Sequence, residues 1–406
     1  MSTAAAVTTP FSVGSFRAAF PSLASGIAHF DGPGGTQTPA VVGQAIADTL
    51  TGPLSNRGTS VSSERNADAV VGAFRAAYAD FLALPAGGIV YGRSATQLTY
   101  DFSRALAKTW TTGDEVLVSR LDHDANVRPW VQAAEAAGAV VRWIDIDPAT
   151  GELDAESMGA AIGERTRLVA VTAASNLIGT RPDIAAVADR VHAVGALLYV
   201  DGVHAAAHTL IDVPALGADF FVCSPYKFFG PHCGVLAASP ELLDSIHPDK
   251  LLPSTDVVPE RFEFGTLPYE IMAGATAAVD FIASWGAGDS RRARLVTALE
   301  IFDDRETALR ERLETGLAEL GAVLHSRASS RTPTLLVTFP GSSMQEASAF
   351  LAAQDVLAPS GTFYALEPAQ RLGLPAEGGL RVGVAAYTSD DDVDRLIAGL
   401  RKFRAR

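Results

Sequence analysis

Lys227 follows an apolar run, Phe220-Phe221-Val222-Cys223, and closes the segment Ser224-Pro225-Tyr226-Lys227. A second apolar run, Ala196-Leu197-Leu198-Tyr199-Val200, ends in Asp201, 26 positions before the lysine. Both runs have the length and composition of buried strands, so an amine and a carboxylate are each delivered by a strand end. An amine so placed can bind an aldehyde as a Schiff base, and a carboxylate so placed can keep a pyridine nitrogen protonated, letting the ring accept electrons. The competing readings are a solvated surface lysine and a carboxylate that caps the next helix.

Pyridoxal phosphate is the cofactor that meets both demands, and further residues could complete a site for it. Ser94, Ala95 and Thr96 follow the expected strand Gly88 to Tyr91 and open a helix expected over 97–110, where free N–H groups and hydroxyls suit a phosphate; capping without a ligand is the alternative. His123, in Asp122-His123-Asp124-Ala125-Asn126, lies beyond a strand ending at Val118, where an imidazole could stack on the ring or simply belong to a polar loop. Asn176, in Ser175-Asn176-Leu177-Ile178-Gly179-Thr180, could reach the ring or a substrate carboxylate, or serve only turn chemistry. Ser224 precedes the lysine, and Gly230 and Gly234 let the chain turn closely past a ligand. No metal is expected: neighbouring side chains in Asp122-His123-Asp124 seldom converge on one ion, and His204 and His208, four apart, lack the glutamate of a metalloprotease helix.

These residues need a scaffold that brings strand ends together. Between residues 85 and 240 short apolar strands alternate with Ala-rich helical segments, the pattern of parallel strands with helical crossovers and hence a doubly wound α/β sheet. Strand Glu115 to Val118 precedes helix 127–137, and strand Leu168 to Val171 precedes helix 184–193. Thr96, His123, Asn176, Asp201 and Lys227 then all fall just past strands, on the carboxyl edge where such sheets bind ligands. From Ser290 a charged helix to Leu320, strand 334–338, helix 344–353, strand 380–384 and a last helix compose a smaller C-terminal α/β domain. The last helix starts at Ser389 with Asp390, Asp391 and Asp392 and ends in Arg401, Lys402, Arg404 and Arg406, charges that match its dipole. The expected division is an N-terminal segment 1–30 packing with the small domain, a large cofactor-binding domain 31–285 and a small domain 286–406.

The 406 residues, 48% hydrophobic and 19% charged, suffice for such a core. A formal net charge of −14 argues against nucleic acid or an anionic membrane as partner and favours a small-molecule substrate. Residues 1–10 lack the basic start and apolar run of a secretory signal, and no stretch is long enough to span a bilayer, so a cytoplasmic protein is expected. Two cysteines, Cys223 and Cys233, cannot build a disulfide framework.

The segment from Tyr199 to Leu236, with Asn176 in SNLIGT and His123 before ANVRPW, resembles the class V aminotransferase group of fold-type I pyridoxal-phosphate enzymes, especially its cysteine desulfurase-like branch. The resemblance implies Lys227 as the Schiff-base lysine, Asp201 on the ring nitrogen, His123 stacked on the ring and Asn176 beside ring and substrate. It also implies Ser94, Ala95, Thr96 and Ser224 near the phosphate and His204 near the phenolic oxygen. Gly265-Thr266 resembles a pair that reaches the phosphate held by a partner subunit, which implies a homodimer. Arg381, in Gly379-Leu380-Arg381-Val382-Gly383, matches the arginine that grips the substrate carboxylate, although a structural ion pair would also occupy a guanidinium.

The chain departs from that branch in one respect that bears on chemistry. Desulfurases carry a nucleophilic cysteine shortly before the carboxylate-binding arginine, and residues 355–379 contain none. Tyr226 also replaces a frequent histidine, and His204 a frequent glutamine. The expected activity is therefore an aminotransferase-type reaction on a small amino acid, with a cysteine desulfurase or carbon–sulfur lyase as the alternative. Cys223 reads as buried packing, while Cys233, just after the lysine, is the cysteine that could approach the site.

Overall fold

The computed structural model describes residues 11–406. A seven-stranded sheet runs in the order Ile89–Gly92, Gly234–Ala238, Phe220–Cys223, Leu197–Asp201, Thr166–Thr172, Glu115–Ser119, Val140–Ile144. Gly234–Ala238 alone runs antiparallel to both of its neighbours. The expected mostly parallel, doubly wound α/β sheet is thus the one observed.

Alternation along the central strands explains why helices cover both faces. Val169, Val171, Leu198, Val200, Phe221 and Cys223 point into one core, which includes Phe74, Tyr78 and Phe81 of the helix Ser62–Leu82. Their sequence neighbours Leu168, Ala170, Tyr199, Phe220 and Val222 point into the other, with Phe102 and Trp130 from the helices Ala95–Ala107 and Arg128–Ala137. Side chains of period two on a strand buried on both faces make each strand a continuous apolar run, which is the signal the sequence carries.

The C-terminal part forms a four-stranded antiparallel sheet, Ser360–Gly361, Gly379–Gly383, Thr334–Thr338, Val323–Leu324, backed by the helices Met344–Ala352 and Asp390–Arg404 and by the 29-residue helix Arg291–Glu319. The N-terminal strand Ala28–His29 pairs in parallel with Val356–Leu357, and Arg17 bonds Asp392 at 2.6 Å. Phe16, ahead of it, enters an aromatic cluster with Phe20, Phe229, Phe281, Trp285 and Phe302. Ser389 caps the last helix through a reciprocal bond with Asp392, and the three aspartates occupy its first turn as their charges require.

One helix and two strands differ from expectation. The helix after Gly92 begins at Ala95 and ends at Ala107, because Ser94 caps it by accepting from the Gln97 N–H at 3.0 Å. The strands Gly234–Ala238 and Val140–Ile144 have no counterpart in the sequence reading, since the first is hidden in a Gly- and Ala-rich stretch and the second is an edge strand with exposed alternate residues. Gly234 owes its identity to the first of these. A Cβ there would lie 2.4 Å from the carbonyl carbon of Ser94, so the strand could not pass beneath the helix start.

Candidate active site

A cavity of about 610 Å³ opens at the carboxyl edge of the large sheet. Ser94, Ala95, Thr96, His123, Asn176, Asp201, His204, Ser224, Lys227 and Arg381 all line it. Neighbouring strand ends deliver Asp201 and the segment that bears Lys227, while Arg381 comes from the four-stranded sheet, so two sheets contribute to one space. Gly230 and Gly234 do not line the cavity. Their missing side chains serve contacts with Pro225 and with the Ser94–Ala95 backbone rather than with a ligand.

Lys227 is buried, and its Nζ donates to the Pro33 carbonyl at 2.5 Å. Burial, reinforced by the Arg381 charge and opposed by Asp201, pulls its amine down to about 7. A large part of it is therefore a free base near neutral pH, the form that attacks a carbonyl. Asp201 is buried too; its Oδ1 accepts from the Val203 N–H at 2.9 Å, and burial lifts its carboxyl to about 6 against the pull of that bond and of Lys227. The two groups form no direct ion pair, so each retains capacity for a ligand.

His123 accepts from the Ala125 N–H through Nδ1 at 3.0 Å, which fixes an unprotonated nitrogen there. Burial, with Lys227 adding to it, depresses its basicity to about 4. Its outer face stacks on Tyr364, centroids 5.4 Å apart. Behind it Asp122 accepts from Asn126 at 2.7 Å and from the Ser119 hydroxyl, and Trp130 Nε1 bonds Asn126 at 3.1 Å, a buried network that anchors this loop. The sequence brought Asp122 into view only as a metal ligand to be set aside, not as the anchor of this loop.

Arg381 is 3% exposed and pairs with no carboxylate among the described residues. Its Nη1 donates to the Asn176 carbonyl at 3.0 Å, its guanidinium lies 3.6 Å from the centre of the Phe363 ring, and burial lowers its basicity to about 9. A buried guanidinium without an anion is costly, so the structural ion pair that competed with the functional reading is not what holds it. His204 Nε2 lies 3.0 Å from both the Thr332 and Thr334 hydroxyls, while burial, with His208 beside it, keeps the ring neutral. Three cavity-lining groups keep buried polar atoms with no partner: Asn176 Oδ1, His204 Nδ1 and Arg381 Nε. Buried polar atoms normally find partners, so these three keep bonding capacity beside the cavity. An aldehyde-bearing pyridine phosphate fits this donor set: an amine, a carboxylate, a flat imidazole face and the N-terminus of the helix Ala95–Ala107.

Gly265 and Thr266 lie away from this cavity, exposed beside Phe264. Cys233 is fully buried among apolar side chains with its thiol pushed up by burial, and neither cysteine lines the cavity. The expectation that Cys233 could approach the site is therefore corrected: its side chain belongs to the core on one face of the sheet. Phe363 and Tyr364 were not foreseen as site residues, because nothing in sequence marks a turn between the short strand Ser360–Gly361 and the helix Leu366–Arg371 as facing a distant lysine.

Comparison with known proteins places the chain in a family. The profile of the family described as Aminotransferase class-V matches residues 28–396. An uncharacterized protein of Mycobacterium tuberculosis is 31% identical, the match covering 96% of this chain and 98% of that one. A cysteine desulfurase of Dickeya dadantii is 30% identical over 86% of this chain and 83% of its own. The solved structure of the Escherichia coli cysteine desulfurase CsdA superposes with a TM-score of 0.85 at 25% identity, covering 97% of this chain and 98% of that one. The apo cysteine desulfurase of Thermococcus onnurineus, at 22% identity and a TM-score of 0.89 over 98% of this chain and 100% of that one, shares the fold. A profile match across most of the chain, relatives similar over nearly their whole length, and a lysine and an aspartate converging on one cavity have a single reading: the chain is an enzyme of the class V aminotransferase family, whose members depend on pyridoxal phosphate.

Proposed function

We propose that this chain binds pyridoxal phosphate through Lys227 and carries out an aminotransferase-type reaction on a small amino acid. The observation that carries the reading is the buried Lys227, its amine at about 7, facing one cavity with Asp201 and the unpaired Arg381. When bound, the cofactor supplies an aldehyde and an electron-accepting ring. Asp201 supports the positive charge of a ring nitrogen, and His123 offers a neutral face against which a ring can stack. Arg381 takes the substrate carboxylate by two parallel hydrogen bonds, and Asn176 lies next to it. Lys227 in its free-base form takes the α-proton, a task suited to a base poised near neutrality. Ser94, Ala95, Thr96 and Ser224 hold the phosphate, and His204 stands beside the phenolic oxygen with Nδ1 free to bond.

We read the assembly as a homodimer in which exposed Gly265 and Thr266 reach the other subunit's phosphate, and the location as cytoplasmic; among the described residues no helix is long and apolar enough to cross a membrane. Carbon–sulfur chemistry is the second reading, favoured by the 30% identical cysteine desulfurase. The absence of any cysteine from the cavity lining stands against its persulfide-forming version.

The deciding experiment mixes purified protein, loaded with cofactor, with single L-amino acids, cysteine included, and no keto acid. Conversion to pyridoxamine phosphate with release of a keto acid supports amino transfer. Sulfide with pyruvate, or alanine with a persulfide, would replace it by sulfur chemistry. A colourless protein in which borohydride fixes no adduct on Lys227, even after cofactor is added, would end the cofactor reading.

A further inference from the structure

The turn after Ser360–Gly361 brings Phe363 and Tyr364 to the cavity with consecutive left-handed backbones, φ 54° and 59°. Bulky side chains resist that region, so surrounding contacts must hold the turn. Phe363 packs against the apolar cluster of Leu121, Ile178 and Leu336, and four further contacts come from cavity residues or their loops. Asn176 Nδ2 donates to the Phe363 carbonyl at 2.9 Å, the Asp124 N–H donates to the Tyr364 carbonyl at 2.8 Å, Tyr364 stacks on His123, and the Arg381 guanidinium carbon lies 3.6 Å from the centre of the Phe363 ring. The turn is also tied to the strand that carries Arg381, because Ser360 and Gly361 pair with Leu380 and Gly379.

A guanidinium without a carboxylate partner has rotational freedom that a single bond to a carbonyl does not remove. Here Nη1 donates to the Asn176 carbonyl and the Phe363 ring lies against one face, which leaves Nε and Nη2 without hydrogen-bond partners among the described residues. One bonded nitrogen and an aromatic ring against one face restrict the guanidinium's orientation, and such a cation–ring contact is strongest for arginine removed from water.

We propose that Phe363 is a positioning residue for substrate recognition: its ring holds the Arg381 guanidinium in the plane that receives an amino acid's carboxylate. The inference rests on the reading of the cavity as a pyridoxal-phosphate site. Asn176, which bonds the Phe363 carbonyl and accepts from Arg381, closes the arrangement, so carboxylate recognition depends on a turn that is itself held by the site.

The test needs no knowledge of the natural substrate. Aminooxyacetate and methoxyamine both react with an enzyme-bound aldehyde and bleach its absorbance, and only the first carries a carboxylate. The ratio of their second-order rate constants reports carboxylate recognition alone. Phe363→Leu and Phe363→Gly, the second of which also relaxes the left-handed backbone, are expected to lower that ratio by on the order of tenfold through the aminooxyacetate rate, while Phe363→Tyr keeps it. In the cofactor-free protein, phenylglyoxal should modify Arg381 faster in Phe363→Leu than in the parent, as read by peptide mass spectrometry. A ratio unchanged in Phe363→Leu, or both probes slowed equally, overturns the proposal, as does a Phe363→Gly that retains the parent ratio. A parent protein that holds no reactive aldehyde refutes instead the cofactor reading, and the arginine-labelling arm then still decides whether Phe363 shields Arg381.

Discussion

Replacing Lys227 by methionine should make the cofactor-free protein more stable, and by an amount that depends on pH. Burial holds the lysine at about 7 where an unburied amine titrates at 10.5. Between those values the unfolded chain binds a proton that the folded chain does not, so the stability of the parent rises with pH through this window. Below about 7 both states are protonated, and the folded state bears the whole cost of a buried charge, roughly 5 kcal/mol from the separation of the two values. Methionine has nearly the same length and no charge. It forfeits the bond from Nζ to the Pro33 carbonyl, worth about 1.5–3 kcal/mol for a charged donor. The net gain is therefore about 2–3 kcal/mol at pH 7, or roughly 2–5 °C in Tm for a chain of this size. Thermal unfolding followed by circular dichroism from pH 6.5 to 10.5 would read it. The gain should be largest at the acid end and shrink toward zero, or reverse, near pH 10.5. An equal or lower Tm for Lys227→Met at pH 7, or a difference that does not change with pH, would show that the lysine is not a desolvated amine and would remove the basis for its role.

Asp201→Asn should leave the fold intact, since the Val203 N–H still finds an oxygen, yet slow α-proton exchange in deuterated water by on the order of 10²–10³-fold, and a variant with parental exchange would separate Asp201 from the chemistry. Arg381→Lys keeps the charge but loses the planar fork and the stack on Phe363, so KM for amino acids should rise about tenfold or more with kcat much less affected; a fall confined to kcat would contradict carboxylate binding. Phe16→Ala removes a fully buried ring that touches six other aromatic residues, and should destabilise the protein by about 3–5 kcal/mol in denaturant titration; a loss below about 1 kcal/mol would mean that the N-terminal helix is not anchored there.

Much of this site was legible because its parts obey local rules. Asp201 and Lys227 each follow an apolar run that can only be a strand buried on both faces, and a parallel sheet puts all such strand ends on one edge. The same logic placed His123, Asn176 and Thr96, while Ser94 announced itself as a helix cap and the aspartates after Ser389 as the start of a helix. Type and spacing thus determined the order of the strands' chemistry along the chain and the sheet edge that would carry it.

Tertiary structure alone decided which groups meet across long separations. Nothing near Phe363 in the chain indicates that its carbonyl bonds Asn176, 187 residues away, or that its ring covers Arg381. Cys233 sits six residues beyond Lys227, yet its side chain faces the core while the lysine faces the cavity, because the chain turns between them. The lowered basicity of Lys227 likewise belongs to no residue by itself. It arises when one sheet buries the amine and the other brings a guanidinium toward it, since the cost of a charge depends on how much water and which other charges surround it.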